Sequence, residues 1–310
     1  MKKSITGRFA PSPSGYMHLG NLLSMLLAWL DARALGGSMI FRMEDLDPAR
    51  SKPEYAAAIA DDLRWLGLDW DEGFPNPAFS QSERTALYEA AFADLQKKEL
   101  VYPCFCSRAE RLAASAPHPG ELTHDPACRC AHMTDAEKDA LLRQGKKPAW
   151  KLRVPDRNIT VQDAHYGAFT QNLARDGGDF IIRRSDGVFA YQFAVSYDDA
   201  VMGVSRVVRG RDLLTSTPKQ LYLFELFGKN APAYAHAPLI TTGANKMSKR
   251  LGSLSTQELR RQYTPEQLVG LLAHFAGLLD RPEPVEAREL VPQFDWNKIR
   301  REDIFYDTRA

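Results

Sequence analysis

The stretch that most constrains the fold is a strand, turn and helix at the start of the chain. Residues 5–10, Ile-Thr-Gly-Arg-Phe-Ala, read as a short buried strand, and Pro11, Pro13 and Gly15 turn the chain after it. From Leu19 the run Leu-Gly-Asn-Leu-Leu-Ser-Met-Leu-Leu-Ala-Trp-Leu predicts a helix apolar enough to be buried. A helix that opens at the end of a strand presents free N–H groups to an anion, so His18 and the first turn predict a phosphate site. The alternation continues with a strand over 38–43 and helices over 52–66 and 83–98, as in βαβ units. An α/β chain built on a doubly wound parallel sheet follows.

The rhythm breaks between about 101 and 180. That stretch holds all four cysteines, a charged helix over 134–144, and strand-like pieces at 149–154 and 180–184. It reads as an inserted α+β domain. The α/β pattern returns over 188–227 and 237–241, then ends in a Gly-flanked basic loop, Lys246, Met247, Ser248, Lys249 and Arg250. Lysines in such a loop can close over a triphosphate as mobile point charges. Helices are expected over 256–262 and 265–276, with a tail over 282–310 whose Phe294 and Trp296 should pack against the body. The expected units are thus a discontinuous Rossmann-like domain (1–100 and 188–250), an insert (101–187) and a short helical carboxyl-terminal region (251–310).

Composition sets outer bounds. With 44% hydrophobic residues in 310, a sizeable core is available, and no apolar stretch is long enough to span a bilayer. The expectation is a cytoplasmic protein with no membrane partner, monomeric. A net charge of +1 means that any polyanionic partner must be met by local patches. The pairs Cys104-Phe-Cys106 and Cys128-Arg-Cys130, with His118, His124 and His132 nearby, suit tetrahedral zinc better than a cytosolic disulfide.

Several motifs together resemble the glutamyl-tRNA synthetase group of the class I aminoacyl-tRNA synthetases. They are Gly7-Arg-Phe-Ala-Pro-Ser-Pro-Ser-Gly15 with His18 to Asn21, Arg42-Met-Glu44-Asp-Leu-Asp-Pro-Ala-Arg50, Ala190-Tyr191-Gln-Phe-Ala-Val, Asp198-Asp199, Val207-Val-Arg209-Gly and Lys246 to Arg250. The resemblance covers nearly the whole chain. It implies ATP, with Mg²⁺, at Pro11, Ser12, His18, Gly20, Asn21 and the basic loop, with His18, Lys246 and Lys249 stabilising transition-state charge. It implies L-glutamate at Arg8, Ala10, Ser12, Glu44, Tyr191 and Arg209. The chemistry agrees, because a dicarboxylic amino acid needs guanidinium forks and one acid for its ammonium. The family's zinc site is Cys-x-Cys, then Tyr and a Cys four residues on; here His124 stands in the tyrosine's place and the loop between is longer. Two ligand sets stay open: Cys104, Cys106, His124 and Cys128, or the four cysteines including Cys130.

The resemblance further implies a paralogue branch without the helical anticodon-binding domain, since residues 251–310 are too few to hold one. Such a branch makes glutamyl-adenylate and transfers glutamate to the queuosine base in the anticodon loop of tRNA(Asp). The alternatives are a shortened ligase that charges a tRNA 3′ end, or an inactive paralogue that binds ATP or tRNA.

Overall fold

The computed structural model describes residues 5–107, 128–241 and 254–305. Strands β1 (Thr6–Phe9), β2 (Ser38–Phe41) and β3 (Glu72–Gly73) form a parallel sheet in that order. They are joined by helices α1 (Leu19–Ala34) and α2 (Pro53–Trp65). Leu22, Leu23, Leu26, Leu27 and Leu30 of α1 are wholly buried, as expected of a helix with apolar residues on nearly every side. Gly7 lets α1 lie close on β1: a Cβ there would sit 2.7 Å from Met39 Sδ and 2.8 Å from Ala32 Cβ.

Helix α3 (Thr85–Lys97) leads to β4 (Val101–Cys104), which pairs antiparallel with β5 (Ala149–Leu152), itself paired with β8 (Phe180–Arg183). Helix α4 (Asp135–Arg143) precedes β5 and opens on a Thr134/Glu137 capping box. The sequence pattern predicts no strand between β5 and β8, yet β6 (Asn158–Asp163) and β7 (Gly167–Asn172) form a hairpin there. Its signal is the alternation of buried Ile159, Val161 and Asp163 with exposed Asn158, Thr160 and Gln162. This hairpin does not join β4, β5 and β8. Asp163 pairs in parallel register with Tyr234 of β10 (Ala233–Ala237), which pairs in turn with β9 (Arg206–Gly210). Residues 101–187 therefore supply strands to two sheets.

The β1–β3 sheet and the mixed sheet β7-β6-β10-β9 adjoin at β1 and β9, where Ser205 N donates to the Thr6 carbonyl (2.9 Å) and Thr6 N donates to Ser205 Oγ (2.8 Å). Helices α5 (Tyr191–Val201) and α6 (Thr217–Leu226) flank β9 in sequence. Helix α7 (Pro265–Ala276) starts on a Thr264/Gln267 capping box and stops at Gly277, whose φ of 93° ends it in the left-handed region. The tail packs as expected. Trp296 Nε1 donates to the buried Asp31 (2.7 Å), Phe294 meets Trp296 edge to face, and β12 (Ile304–Phe305) pairs with β11 (Ile240–Thr241). No helix among the described residues is long and apolar enough to cross a membrane.

Candidate active site

A cleft of about 650 Å³ opens at the carboxyl ends of β1 and β9, the usual place for a ligand in a parallel α/β sheet. The fold brings every described residue that the sequence reading assigned to ATP or glutamate to this one cavity. Pro11, Ser12, His18, Gly20 and Asn21 come from the turn after β1 and the first turn of α1. Arg8 and Ala10 come from β1 and its end, Glu44 from the end of β2, Tyr191 from the start of α5 and Arg209 from β9. His18 caps α1 in extended backbone, and its N–H is accepted by Asn21 Oδ1 at 3.2 Å. Desolvation holds its imidazole below the ordinary value, so a neutral ring stands beside the helix N-terminus.

Lys246, Met247, Ser248, Lys249 and Arg250 lie outside the described residues. The chain on either side of them is anchored at the cleft. Thr241 lines it, while Thr256 N and Oγ1 donate to the Met17 carbonyl (2.8 and 3.0 Å) and Ser255 forms a bridge with His18.

Below the cleft is a buried charge network that the sequence reading did not assign. Arg42, wholly buried, reaches Asp199 Oδ1 through Nη1 (2.8 Å) and Glu44 Oε1 through Nη2 (3.1 Å), with Nε 3.8 Å from Asp198. Asp198 also accepts from Gln81 Nε2 (2.8 Å), Arg84 Nε (2.8 Å) and Tyr88 Oη (2.7 Å). Arg8 donates to the Val208 carbonyl (3.2 Å), and its Nε lies 3.4 Å from Asp199. Arg8, Arg42 and Arg84 thus balance Glu44, Asp198 and Asp199. The available signal was a charged residue inside an apolar strand, Ile40-Phe-Arg42-Met. Burial pushes the Glu44 carboxyl above its ordinary range, against the pull of Arg42 and Arg8, so an ammonium placed beside it would favour its ionised form.

Arg209 stands apart from that balance. It is 6% exposed and has no carboxylate within ion-pair distance among the described residues, and its Nη1 has no hydrogen-bond partner there. A buried guanidinium with a spare donor, beside a cleft, is suited to an anionic ligand.

The four cysteines form a second constellation, away from the cleft. Cys104 ends β4, and Cys128 and Cys130 flank the start of the 3₁₀ turn Arg129–His132. Cys128 Sγ lies 3.6 Å from Cys104 and 3.8 Å from Cys106, and Cys106 lies 3.7 Å from Cys130. These spacings match the edge of about 3.8 Å of a tetrahedron with metal–sulfur bonds of ~2.3 Å, and they are far beyond a disulfide bond. Burial and neighbouring thiols push the Cys106 thiol up to about 12, a strain that a cation among the sulfurs would relieve. The cluster could hold a metal such as zinc. His124, the alternative ligand, lies outside the described residues, as does His118.

A profile of the family "tRNA synthetases class I (E and Q), catalytic domain" matches residues 4–305. The chain belongs to this family. It is therefore a ligase of the class I tRNA synthetase type, with that family's Rossmann-like catalytic domain. A Glutamyl-Q tRNA(Asp) synthetase of Symbiobacterium thermophilum is 47% identical, over 97% of this chain and 95% of the relative. One of Nitratidesulfovibrio vulgaris is 46% identical over 89% and 87%. Among solved structures, a glutamate tRNA ligase from Elizabethkingia meningosepticum in complex with its amino acid superposes with a TM-score of 0.81 at 27% identity, covering 99% of this chain and 68% of that one. A cleft with a helix start on one wall and two buried arginines on another suits the chemistry of that family.

Proposed function

We propose that this synthetase activates L-glutamate with ATP, as the Mg²⁺ complex, and transfers the glutamyl group to the queuosine base of tRNA(Asp). The observation that carries the reading is Arg209, buried at the cleft with no carboxylate partner among the described residues, in the same cavity as Glu44 and Arg8. The arginines receive the two carboxylates of glutamate and Glu44 its ammonium. The α-carboxylate then attacks the α-phosphorus of ATP, forming the acyl–phosphate bond as pyrophosphate leaves. A queuosine hydroxyl displaces AMP in the second step. His18, the α1 N-terminus, Lys246 and Lys249 act by position and charge, with no side-chain nucleophile. Zinc, held by the cysteine cluster, would cross-link β4 to the turn at 128–132. The names of the relatives support queuosine as acceptor, and both steps belong in the cytoplasm with the tRNA.

The decisive assay is transfer of labelled glutamate onto two tRNA pools that differ only in queuosine. Label confined to the queuosine-containing pool is the expected result. Equal label on both would make the enzyme a ligase that charges 3′ ends, as the structural neighbours' names would allow. Lys249→Ala should slow glutamate-dependent pyrophosphate exchange by about 10²-fold or more, with little change in glutamate affinity; unchanged exchange would remove Lys249 from the reaction.

A further inference from the structure

Three adjacent parallel strands end on three side chains that touch in series. Arg209 of β9 and His236 of β10 are register partners, and Asp163 closes β6 beside Tyr234. Asp163 Oδ2 lies 2.6 Å from His236 Nδ1, and both side chains are fully buried. Asp163 Oδ1 is occupied by the backbone N–H groups of His165 (3.0 Å), Tyr166 (2.8 Å) and His236 (3.3 Å). An anion so supplied with donors can only accept, so His236 carries its proton on Nδ1. Its Nε2 is then a lone pair, and it faces Arg209 Nε at 3.2 Å.

The rest of the guanidinium is held as tightly. Nη2 donates to Thr217 Oγ1 (2.8 Å), and the Tyr234 ring centroid lies 5.2 Å from Cζ. Nη1 is buried and has no hydrogen-bond partner among the described residues. Burial, with Arg209 nearby, keeps His236 below its ordinary value despite Asp163, in keeping with a neutral ring. A protonated or tautomerised His236 would turn an N–H toward the N–H of Arg209 and free the plane to rotate.

We propose that Asp163 and His236 are positioning residues for Arg209, fixing its guanidinium plane so that the site prefers a carboxylate over a carboxamide side chain. The inference rests on the reading of the cleft as a glutamate site. A carboxylate needs two donors in a set geometry, whereas a mobile guanidinium can serve an amide oxygen almost as well.

The test separates the two nitrogens of His236. His236→Gln keeps an acceptor near the Nε2 position, whereas His236→Asn keeps only a donor near Nδ1; Asp163→Asn is isosteric and allows the other tautomer. In pyrophosphate exchange, His236→Asn and Asp163→Asn should raise KM for glutamate by about ten- to hundredfold, more than they lower kcat and with KM for ATP unmoved. The ratio of kcat/KM for glutamate over glutamine should fall with them, and His236→Gln should stay near the wild type. Equal effects of Asn and Gln at 236, or an unchanged glutamate/glutamine ratio, would overturn the proposal. Wild-type protein that shows no glutamate-dependent exchange would instead overturn the substrate reading. The relay is still read without substrate, from ¹⁵N-histidine spectra at pH 7, with His236 identified by its absence in His236→Gln. A ring protonated at Nδ1 is expected, and an Nε2-protonated or charged ring would refute the relay.

Discussion

Arg42→Met should destabilise the fold by about 3–5 kcal/mol, the usual effect of removing one partner from a buried ionic cluster. Against a total stability of ~5–15 kcal/mol, that loss is a large fraction and lowers the folded-to-unfolded ratio by roughly 10²- to 10⁴-fold. The volume is nearly kept, so the effect is electrostatic. Asp198 retains Arg84, Gln81 and Tyr88, but Glu44 loses its direct partner, and among the described residues Asp199 keeps Arg8 at 3.4 Å as its cation. The pH dependence gives this account a sign. Burial already raises the Glu44 carboxyl above its ordinary value, so the folded state holds that proton more tightly than the unfolded chain does. Stability from this group is therefore greater at low pH and falls as pH rises from the ordinary carboxylate range through the raised folded value. Without Arg42 that window widens upward, so the gap between wild type and variant should be larger at pH 8 than at pH 5.5. Denaturant unfolding at both pH values measures it; a gap that is small, or larger at pH 5.5, would show that Arg42 is not holding Glu44 ionised.

How much of this was legible in the sequence follows from how far apart the partners lie. Strand β1, helix α1 and the cleft residues on them were readable because each rests on a local pattern: an apolar run, a Pro/Gly turn, a helix start at His18. The packing of Phe294 and Trp296 was readable too, since aromatic residues in a short tail have few other ways to leave water. Arg42 with Asp198 and Asp199, or Asp163 with His236, could not be paired in advance, because no local period links residues that far apart. Read singly, each charge passes for a solvated one. Strands β6 and β7 were missed for a related reason: Thr160, Gln162, Thr170 and Gln171 dilute the apolar signal, and what fixes the hairpin is its seat beside β10. The two cysteine pairs pointed to a cluster that could hold a metal, yet family spacing and coordination preference left His124 and Cys130 as rivals.

Purified protein should carry about one zinc, and Cys130→Ser should lose most of it while His124→Ala keeps it. The four sulfurs lie within 4.8 Å of one another without help from any histidine, and Phe105 N donates to Cys130 Sγ at 3.4 Å, which helps to fix that sulfur in the cluster. Removing Cys130 leaves three ligands and an open corner, which weakens a structural site far more than it would a catalytic one. The loss should spread locally, because the cluster joins the turn carrying Cys128 and Cys130 to β4, alongside Arg153, whose Nη2 donates to the Ala131 carbonyl at 3.0 Å and whose guanidinium stacks on Tyr102. Protease cleavage near residues 128–132 should therefore rise on chelation, and glutamate activation should survive, since the cleft shares no residue with the cluster. Acid should act like a chelator. Burial pushes the Cys104 and Cys106 thiols up, Cys106 to about 12, so metal binding to them expels protons and apparent affinity falls as pH is lowered. Zinc retained by Cys130→Ser but lost from His124→Ala would reverse the ligand assignment and restore the spacing argument over the sulfur geometry.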